Sequence, residues 1–242
     1  MIDITLFGYG GMGRAIEAAA DARADMSVKK IYDFDGSAVY CTRGEDTALQ
    51  HEAVIDFSHY AMHDEALRYA LEKNIPIVVG TTGLSDEQIS NMQEAAKRIP
   101  VLYSTNYSYG ILIMNHLIRE ANKYLSEWDV ELTETHHSKK KDAPSGTAKT
   151  MLSILNEDNS KTEVYGRQGI TGERDKKEIG VHALRGGTVA GTHTVSFFGN
   201  DEMIEITHRA ASRKIFAEGA CIALSRLYDR KPGFYNLEDI LL

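Results

Sequence analysis

The chain is poor in the features that mark several classes of protein. Its 242 residues include two cysteines, Cys41 and Cys221, which give no metal-ligand spacing and read as reduced thiols in a cytoplasmic protein. Four prolines and 20 glycines are too few for a low-complexity chain. No run approaches the roughly 18 apolar residues that cross a bilayer, so no transmembrane helix is expected. The opening Met1-Ile2-Asp3-Ile4-Thr5-Leu6-Phe7 has neither a basic leader nor a cleavage site and is not read as a signal peptide. Basic residues are outnumbered, 27 against 35 acidic, and a net charge of −8 argues against nucleic-acid or membrane-surface partners. What remains is a chain 43% hydrophobic, long enough for one large core or two modest ones.

The first half alternates strand and helix signals. Ile2 to Phe7 reads as a strand, Arg14 to Ala24 as an Ala-rich helix, and Val28 to Tyr32 as a second strand closed by a turn at Asp35-Gly36. Ala53 to Ser58, a helix from about His63 to Lys73, and a strand at Pro76 to Val79 follow. Ser85-Asp86-Glu87-Gln88 has capping-box spacing and opens a helix reaching about Arg98, before a strand at Val101 to Tyr103. This alternation predicts βαβ units and a mostly parallel sheet with helices on both faces. Beyond a helix over about Gly110 to Ser126 the pattern changes. Strand-like runs at Val130 to Thr133, Ile179 to Leu184, Thr188 to Phe198 and Met203 to Thr207 predict a largely antiparallel second sheet, with hairpin turns at Gly186-Gly187 and Gly199-Asn200. Helical spacing returns at Ile215 to Tyr228.

Gly8-Tyr9-Gly10-Gly11-Met12-Gly13 satisfies G-x-G-x-x-G between a strand and a helix, and Asp33 stands 20 residues after Gly13, at the end of the second strand. In a dinucleotide site the first glycine permits the tight turn, the second lets a pyrophosphate near the backbone, and the third packs helix on strand. The helix start offers unpaired N–H groups to phosphates, and Asp33 can accept from ribose hydroxyls. An acid there repels a 2′-phosphate and its neighbour is Phe34 rather than Arg, so NADH is favoured; Arg14 and Arg43 keep NADPH as the alternative. Gly80-Thr81-Thr82-Gly83 and Ser104-Thr105-Asn106-Tyr107 follow strands at their carboxyl ends, where open α/β sheets bind ligands.

The densest chemistry lies between Glu131 and Ala148, where two imidazoles and three ammonium groups precede a helix start. Pro144 breaks any earlier helix and Ser145 is a good N-cap, leaving the amides of Gly146, Thr147 and Ala148 for a carboxylate. His136 or His137 suits acid–base work near neutrality, and crowded ammonium groups make Lys140 a candidate proton donor. The plain alternative is a solvated lysine triplet beside two histidines pointing opposite ways.

Glu134 to Ala148 closely resembles the E-x-H-H-x-x-K-x-D-A-P-S-G-T-A motif of the dihydrodipicolinate reductases, also called 4-hydroxy-tetrahydrodipicolinate reductases. The resemblance extends over Gly8 to Gly13, Asp56-Phe57-Ser58, Gly80 to Gly83, Asn106, Gly180 to Gly187 and Ile206 to Ala210. It implies NAD(P)H-dependent reduction of 4-hydroxy-tetrahydrodipicolinate, with loss of water, in diaminopimelate and lysine biosynthesis. It further implies His136 as proton donor or acceptor, Lys140 as the second proton donor, His137 in contact with substrate, and Gly146 and Thr147, next to Ser145, on a substrate carboxylate. The glycine loop, Asp33, Gly80 to Thr82 and Ser104 to Tyr107 would hold the cofactor. A homotetramer built through the inserted sheet is the expected assembly, with a small dicarboxylate substrate and no metal.

The chain departs from the family in a glycine loop one residue short of the commoner form, in Phe34, and in a short segment from Gly36 to Glu52. The expected fold class is α/β. Residues 1–107 and 216–242 would form a Rossmann-like nucleotide-binding domain, and 108–215 an inserted α+β domain for substrate binding and tetramerisation, with a mixed, largely antiparallel sheet. A dehydrogenase acting on aspartate or homoserine would account for the glycine loop but not for the His-His…Lys…Pro-Ser-Gly-Thr run, and a non-catalytic nicotinamide sensor would normally show a DNA-binding motif or an exposed partner helix, neither of which is read in the sequence.

Overall fold

A computed structural model describes residues 1–44 and 49–242. The shortness of the segment from Gly36 to Glu52 falls partly on positions 45–48, which lie outside the described residues. The described chain divides into two compact units, Met1–Tyr109 with Lys214–Leu242, and Gly110–Arg213.

In the first unit β1 (Ile2–Phe7), α1 (Gly11–Asp21), β2 (Met26–Phe34) and β3 (Val39–Arg43) are followed by β4 (Glu52–Asp56), α2 (Tyr60–Lys73), β5 (Ile77–Val79), α3 (Asp86–Ala95) and β6 (Pro100–Tyr103). The strand order is β12-β6-β5-β4-β1-β2-β3, with β12 (Gly233–Tyr235) arriving from the C-terminal segment. β1 pairs in parallel with both β2 and β4, so the chain switches direction across the sheet beside β1. Helices on both faces require strands apolar on both faces, and β4 is buried along its whole length. The capping box at the start of α3 forms as its spacing predicts, with both Ser85–Gln88 bonds present. The edge strand β3 is not signalled by the apolar pattern. It forms because Asp35 Oδ1 accepts from the Ser37 and Ala38 amides at 2.8 and 2.9 Å, closing a turn in which Gly36 has φ +100°. From there β3 runs antiparallel to β2. The C-terminal α6 (Lys214–Leu227) lies on α1 and passes so close to Tyr107 that a Cβ at Gly219 would stand 1.7 Å from the Tyr107 carbonyl oxygen. A short α7 (Leu237–Leu241) follows β12.

The second unit contains most of α4 (Tyr109–Tyr124), then β7 (Asp129–His136), α5 (Gly146–Leu155), β8 (Thr162–Tyr165), β9 (Glu178–Arg185), β10 (Gly191–Phe198) and β11 (Met203–Ala210). Its sheet is mixed, in the order β11-β10-β7-β9-β8, with antiparallel pairing on the β10 side and parallel pairing on the β9 side. Ile111, Met114 and Ile118 of α4 and Met151, Leu152 and Leu155 of α5 pack on one face, over Val130, Leu132, Val181, Val195 and Phe197. The other face is Thr-rich and more open, and β7 therefore alternates half-buried and buried residues along its length. That period of two puts Val130, Leu132, Glu134 and His136 on the helix-covered side.

The structure corrects one expected turn. β9 and β10 are not neighbours, because β7 lies between them, so Gly186-Gly187 closes no hairpin. It instead crosses the end of β7, where the Gly186 amide donates to His136 O at 2.9 Å and the Ser138 amide to Gly187 O at 3.2 Å. Gly199-Asn200 does join paired strands, β10 and β11.

Candidate active site

Backbone chemistry dominates the turn after β1. Gly8 takes φ +89°, and its amide donates to Tyr32 O at 2.8 Å. A Cβ at Gly8 would lie 2.6 Å from Phe57 O, and one at Gly13 would lie 2.1 Å from Gly8 O, so neither position accepts a side chain without moving backbone. At Gly10 and Gly11 the same test meets nothing within 4 Å. Gly10 is the N-cap of α1 and supplies no side-chain cap, and no acid lies in the first turn. The helix start thus presents uncapped amides and a positive dipole end toward open space, which fits the pyrophosphate of a dinucleotide.

Asp33 is half-buried near the end of β2, and its Oδ1 accepts from the Phe34 amide at 3.0 Å. The Phe34 ring stacks on His59, with centroids 5.9 Å apart. The guanidinium of Arg14 lies 5.5 Å from the Tyr9 ring centroid, while Arg43 is held 2.6 Å from Glu17, which also accepts from the Tyr9 hydroxyl.

Two further loops lie at strand ends of the same sheet. Asp56, fully buried at the end of β4, accepts from Thr81 Oγ1 at 2.7 Å and from the Ser58 amide at 3.1 Å through Oδ1. Its Oδ2 meets Nδ1 of the equally buried His63 at 2.7 Å. Gly80 is required there, since a Cβ would stand 2.3 Å from the Phe57 ring. Ser104 Oγ donates to Asn106 O at 2.9 Å, Asn106 Oδ1 accepts from the Ser108 amide at 2.9 Å, and Tyr107 is buried with its hydroxyl donating to Val79 O at 2.8 Å. The side chains of Thr81 and Tyr107 are therefore committed inward and shape these loops, whereas Thr82 and Thr105 are exposed.

In the second unit the end of β7 gathers side chains instead. Its register places Arg185 of β9 beside His136 and His193 of β10 opposite Glu134. Glu134, without exposure, meets His136 Nδ1 at 2.5 Å and receives a two-pronged contact from Arg185 at 2.9 and 2.7 Å. Burial works to raise the Glu134 carboxyl, but the hydrogen bonds from Arg185 and His136 outweigh it and hold the group below its ordinary value. His136 Nε2 faces the space that a Cβ on Gly191 would enter, 3.1 Å away, so glycine keeps that nitrogen uncovered. The His193 ring meets His136 edge-on with centroids 5.2 Å apart, and burial, then the charge of His136, push its pKa down to about 4.

After β7 the loop carries Lys140, whose ammonium pairs with Asp142 at 2.8 Å and is partly shielded, while Lys139 and Lys141 are exposed. His137 is half-buried and its carbonyl accepts from the Lys140 amide at 3.1 Å. Ser145 caps α5 as expected, accepting from the Ala148 amide at 3.2 Å, and lies 3.1 Å from His193 Nε2. A Cβ at Gly146 would meet nothing within 4 Å, so the start of α5 is open. An imidazole with one nitrogen anchored and the other uncovered stands next to a helix start suited to a carboxylate. Among the described residues no group of three or more His, Cys, Asp or Glu side chains could hold a metal ion, and no helix is long and apolar enough to cross a membrane.

Comparison with known proteins adds an independent line. Residues 2–107 match the family model described as dihydrodipicolinate reductase, N-terminus, and residues 110–241 match the one described as its C-terminus. The chain belongs to the dihydrodipicolinate reductase family. A 4-hydroxy-tetrahydrodipicolinate reductase of Akkermansia muciniphila is 40% identical over 247 residues, covering 100% of this chain and 98% of that protein. One from an Exiguobacterium species is 37% identical over 239 residues, covering 99% of this chain and 95% of the relative. Among solved structures, the dipicolinate-bound dihydrodipicolinate reductase of Paenisporosarcina sp. TG-14 superposes with a TM-score of 0.79 at 21% identity, covering 100% of both chains. At that identity the superposition speaks for the fold.

Within this family frame, three residues at the end of β7 escaped the reading from sequence. Glu134 was visible only as the first letter of the long motif. Arg185 and His193 lie 49 and 57 positions from His136 and reach it solely through strand register.

Proposed function

We propose that the protein catalyses the reduction of 4-hydroxy-tetrahydrodipicolinate to tetrahydrodipicolinate with loss of water, a step of diaminopimelate and lysine biosynthesis, using a nicotinamide cofactor. The observation that carries the catalytic assignment is His136, anchored through Nδ1 on Glu134 and uncovered at Nε2, beside the open start of α5. Residues 1–107 with 216–242 serve as the dinucleotide-binding domain, and 108–215 as the substrate and assembly domain. Gly8 to Gly13 receive the pyrophosphate on the amides of α1, Asp33 takes ribose hydroxyls, and the backbone of Gly80 to Thr82 and Ser104 to Tyr107 lines the nicotinamide end. NADH is the favoured cofactor, because Asp33 opposes a 2′-phosphate and Arg43 is already occupied by Glu17. When bound, the cofactor supplies a hydride.

This chain supplies the rest. Gly146 and Thr147 offer amides to one substrate carboxylate at the start of α5, which Ser145 caps. His137 contacts the same substrate. His136 gives or takes a proton at Nε2, and Lys140 is the second proton donor. Local cationic groups outweigh the chain's overall negative charge in attracting a dianion. A homotetramer built through the second sheet is supported by apolar side chains exposed on it, among them Leu184, Phe198, Met203 and Ile204. The cytoplasm, where the soluble cofactor and substrate are made, is the assigned compartment.

The test is a coupled assay in which pyruvate and aspartate semialdehyde are condensed by the preceding enzyme, and oxidation of NADH and of NADPH is followed separately. Turnover that is faster with NADH and disappears in His136→Gln is expected. Folded protein that binds NADH and turns over neither cofactor would sink the reductase assignment. Sedimentation velocity reads the assembly, and a stable monomer would remove the tetramer.

A further inference from the structure

The Glu134 carboxylate is the meeting point of three separate stretches of chain. Oε2 takes His136 Nδ1 at 2.5 Å and Arg185 Nη1 at 2.9 Å, while Oε1 takes Arg185 Nη2 at 2.7 Å and the Ser145 amide at 3.1 Å. An ionised carboxylate only accepts hydrogen bonds. Beside it, His136 must carry its hydrogen on Nδ1, so Nε2 becomes the nitrogen that gains and loses a proton. Through the Ser145 amide the same carboxylate holds the start of α5. Arg185 also donates to the Asp142 carbonyl at 2.7 Å, in the loop that carries Lys140.

We propose that Glu134, charge-balanced by Arg185, is the positioning residue of the active site: it selects the His136 tautomer and holds the start of α5 beside that imidazole. The proposal rests on His136 being the proton-transfer group of the reductase. A purely structural Glu–Arg pair would be satisfied by the two-pronged contact alone, and a buried ion pair is weak evidence of stabilisation in itself. Here the two remaining acceptor positions go to the two parts of the site that have to be aligned. The charged and titratable groups against the His136 ring are Glu134 on its own strand and His193 on β10, with Arg185 of β9 reaching it through the Glu134 carboxylate and Lys140 and His208 acting on the neighbouring His193. Glu134 is the one that contacts the ring nitrogen directly.

Glu134→Gln makes a sharp prediction because an amide has a donor end. The Oε1 position is met by two groups that can only donate, Arg185 Nη2 and the Ser145 amide, so the Gln oxygen takes it and the NH2 group then faces Arg185 Nη1 and His136 Nδ1, of which only the imidazole can switch to accept. The imidazole would respond by carrying its hydrogen on Nε2, the wrong tautomer for taking a proton there. The experiment is 15N NMR of the full-length protein with labelled histidine, the His136 signals being assigned by their loss in His136→Gln, together with steady-state kinetics over pH. In wild type the neutral ring is expected as the Nδ1–H tautomer. In Glu134→Gln the Nε2–H form should replace it. The same variant should lose about 10²- to 10⁴-fold in kcat while KM for the dinucleotide stays within about twofold. Glu134→Asp should recover part of kcat.

An Nε2–H tautomer in wild type overturns the proposal, and this reading does not depend on any Glu134 variant folding. So does a folded Glu134→Gln enzyme within about threefold of wild-type kcat while His136→Gln is inactive. Full turnover in His136→Gln would sink the assignment of His136 itself and the positioning role with it. The variant that keeps its rate tells the two failures apart.

Discussion

At the turn after β1 the groups offered to a ligand are backbone amides, and the residues matter for the atoms they lack. A Cβ at Gly13 would strike Gly8 O, and at Gly10 and Gly11 the missing side chains leave room for a guest. At the end of β7 the backbone is ordinary strand, and side chains from three strands and a helix start are gathered there: His136 and Glu134 from β7, Arg185 from β9, His193 from β10, and Ser145 before α5. The first kind of site is local, spanning six residues, and breaks when something is added. The second is assembled by register over some sixty positions and breaks when something is removed.

The largest separation between the two regions should come from His136→Gln. Loss of about 10²- to 10⁴-fold in kcat is expected for a missing acid–base group, with NADH affinity measured by fluorescence near that of wild type. Weak NADH binding in that variant would erase the division of labour.

Acid should act on the side-chain site next. Above pH 6.5 His193 is neutral in both folded and unfolded chains and contributes nothing. As the pH falls from 6.5 toward 4, the unfolded chain takes up a proton that the folded ring, with its pKa at about 4, refuses. Stability therefore declines across that window, by about 3 kcal/mol in all, and then levels off. Glu134, held below its ordinary value, adds a loss in the same direction as the pH drops through its folded pKa. Urea unfolding at pH 7 and pH 5 should show a flatter slope for His193→Gln than for wild type; an equal slope would contradict a neutral, buried imidazole.

On the backbone side, Gly13→Val should cost about 1–3 kcal/mol through overpacking and abolish dinucleotide binding. Gly10→Ala, pointing into open space, should weaken dinucleotide binding with stability changed by about 0.5 kcal/mol or less. Equal thermal shifts in the two variants would mean that the turn does not divide into a packed and an open half. For Ser145→Ala, loss of the α5 cap should cost about 1 kcal/mol and raise KM for the substrate more than it lowers kcat.

The same contrast explains what could be read without a structure. The glycine turn, Asp33 and the Ser85–Gln88 capping box are short-range patterns, and each has a local physical cause. The middle of β7, Val130 to Thr133, was visible for the same reason, while its continuation to His136 was not. The strands β3, β8 and β12 escaped because they are short, lie at sheet edges and are incompletely buried, so no strong apolar period marks them. Gly186-Gly187 reads as a hairpin turn because the sequence does not say that β7 will lie between β9 and β10. That one topological fact also hides Arg185 and His193. Two glycines look alike whether they turn a hairpin or step across an intervening strand. The roles given to His136 and Lys140 came from family resemblance, since imidazoles and ammonium groups at that spacing fit a solvated surface equally well.

The first unit is built from two lengths of chain separated by the whole of the second. During synthesis, β1 to β6 leave the ribosome first, yet the face of α1 waits for α6 and the edge of β6 waits for β12. The second unit has its last strand by Ala210 and can close before either arrives. The half of the protein that is translated first is thus the last to be finished. Its waiting edge, β6, is only four residues long and offers a nascent neighbour little backbone to capture.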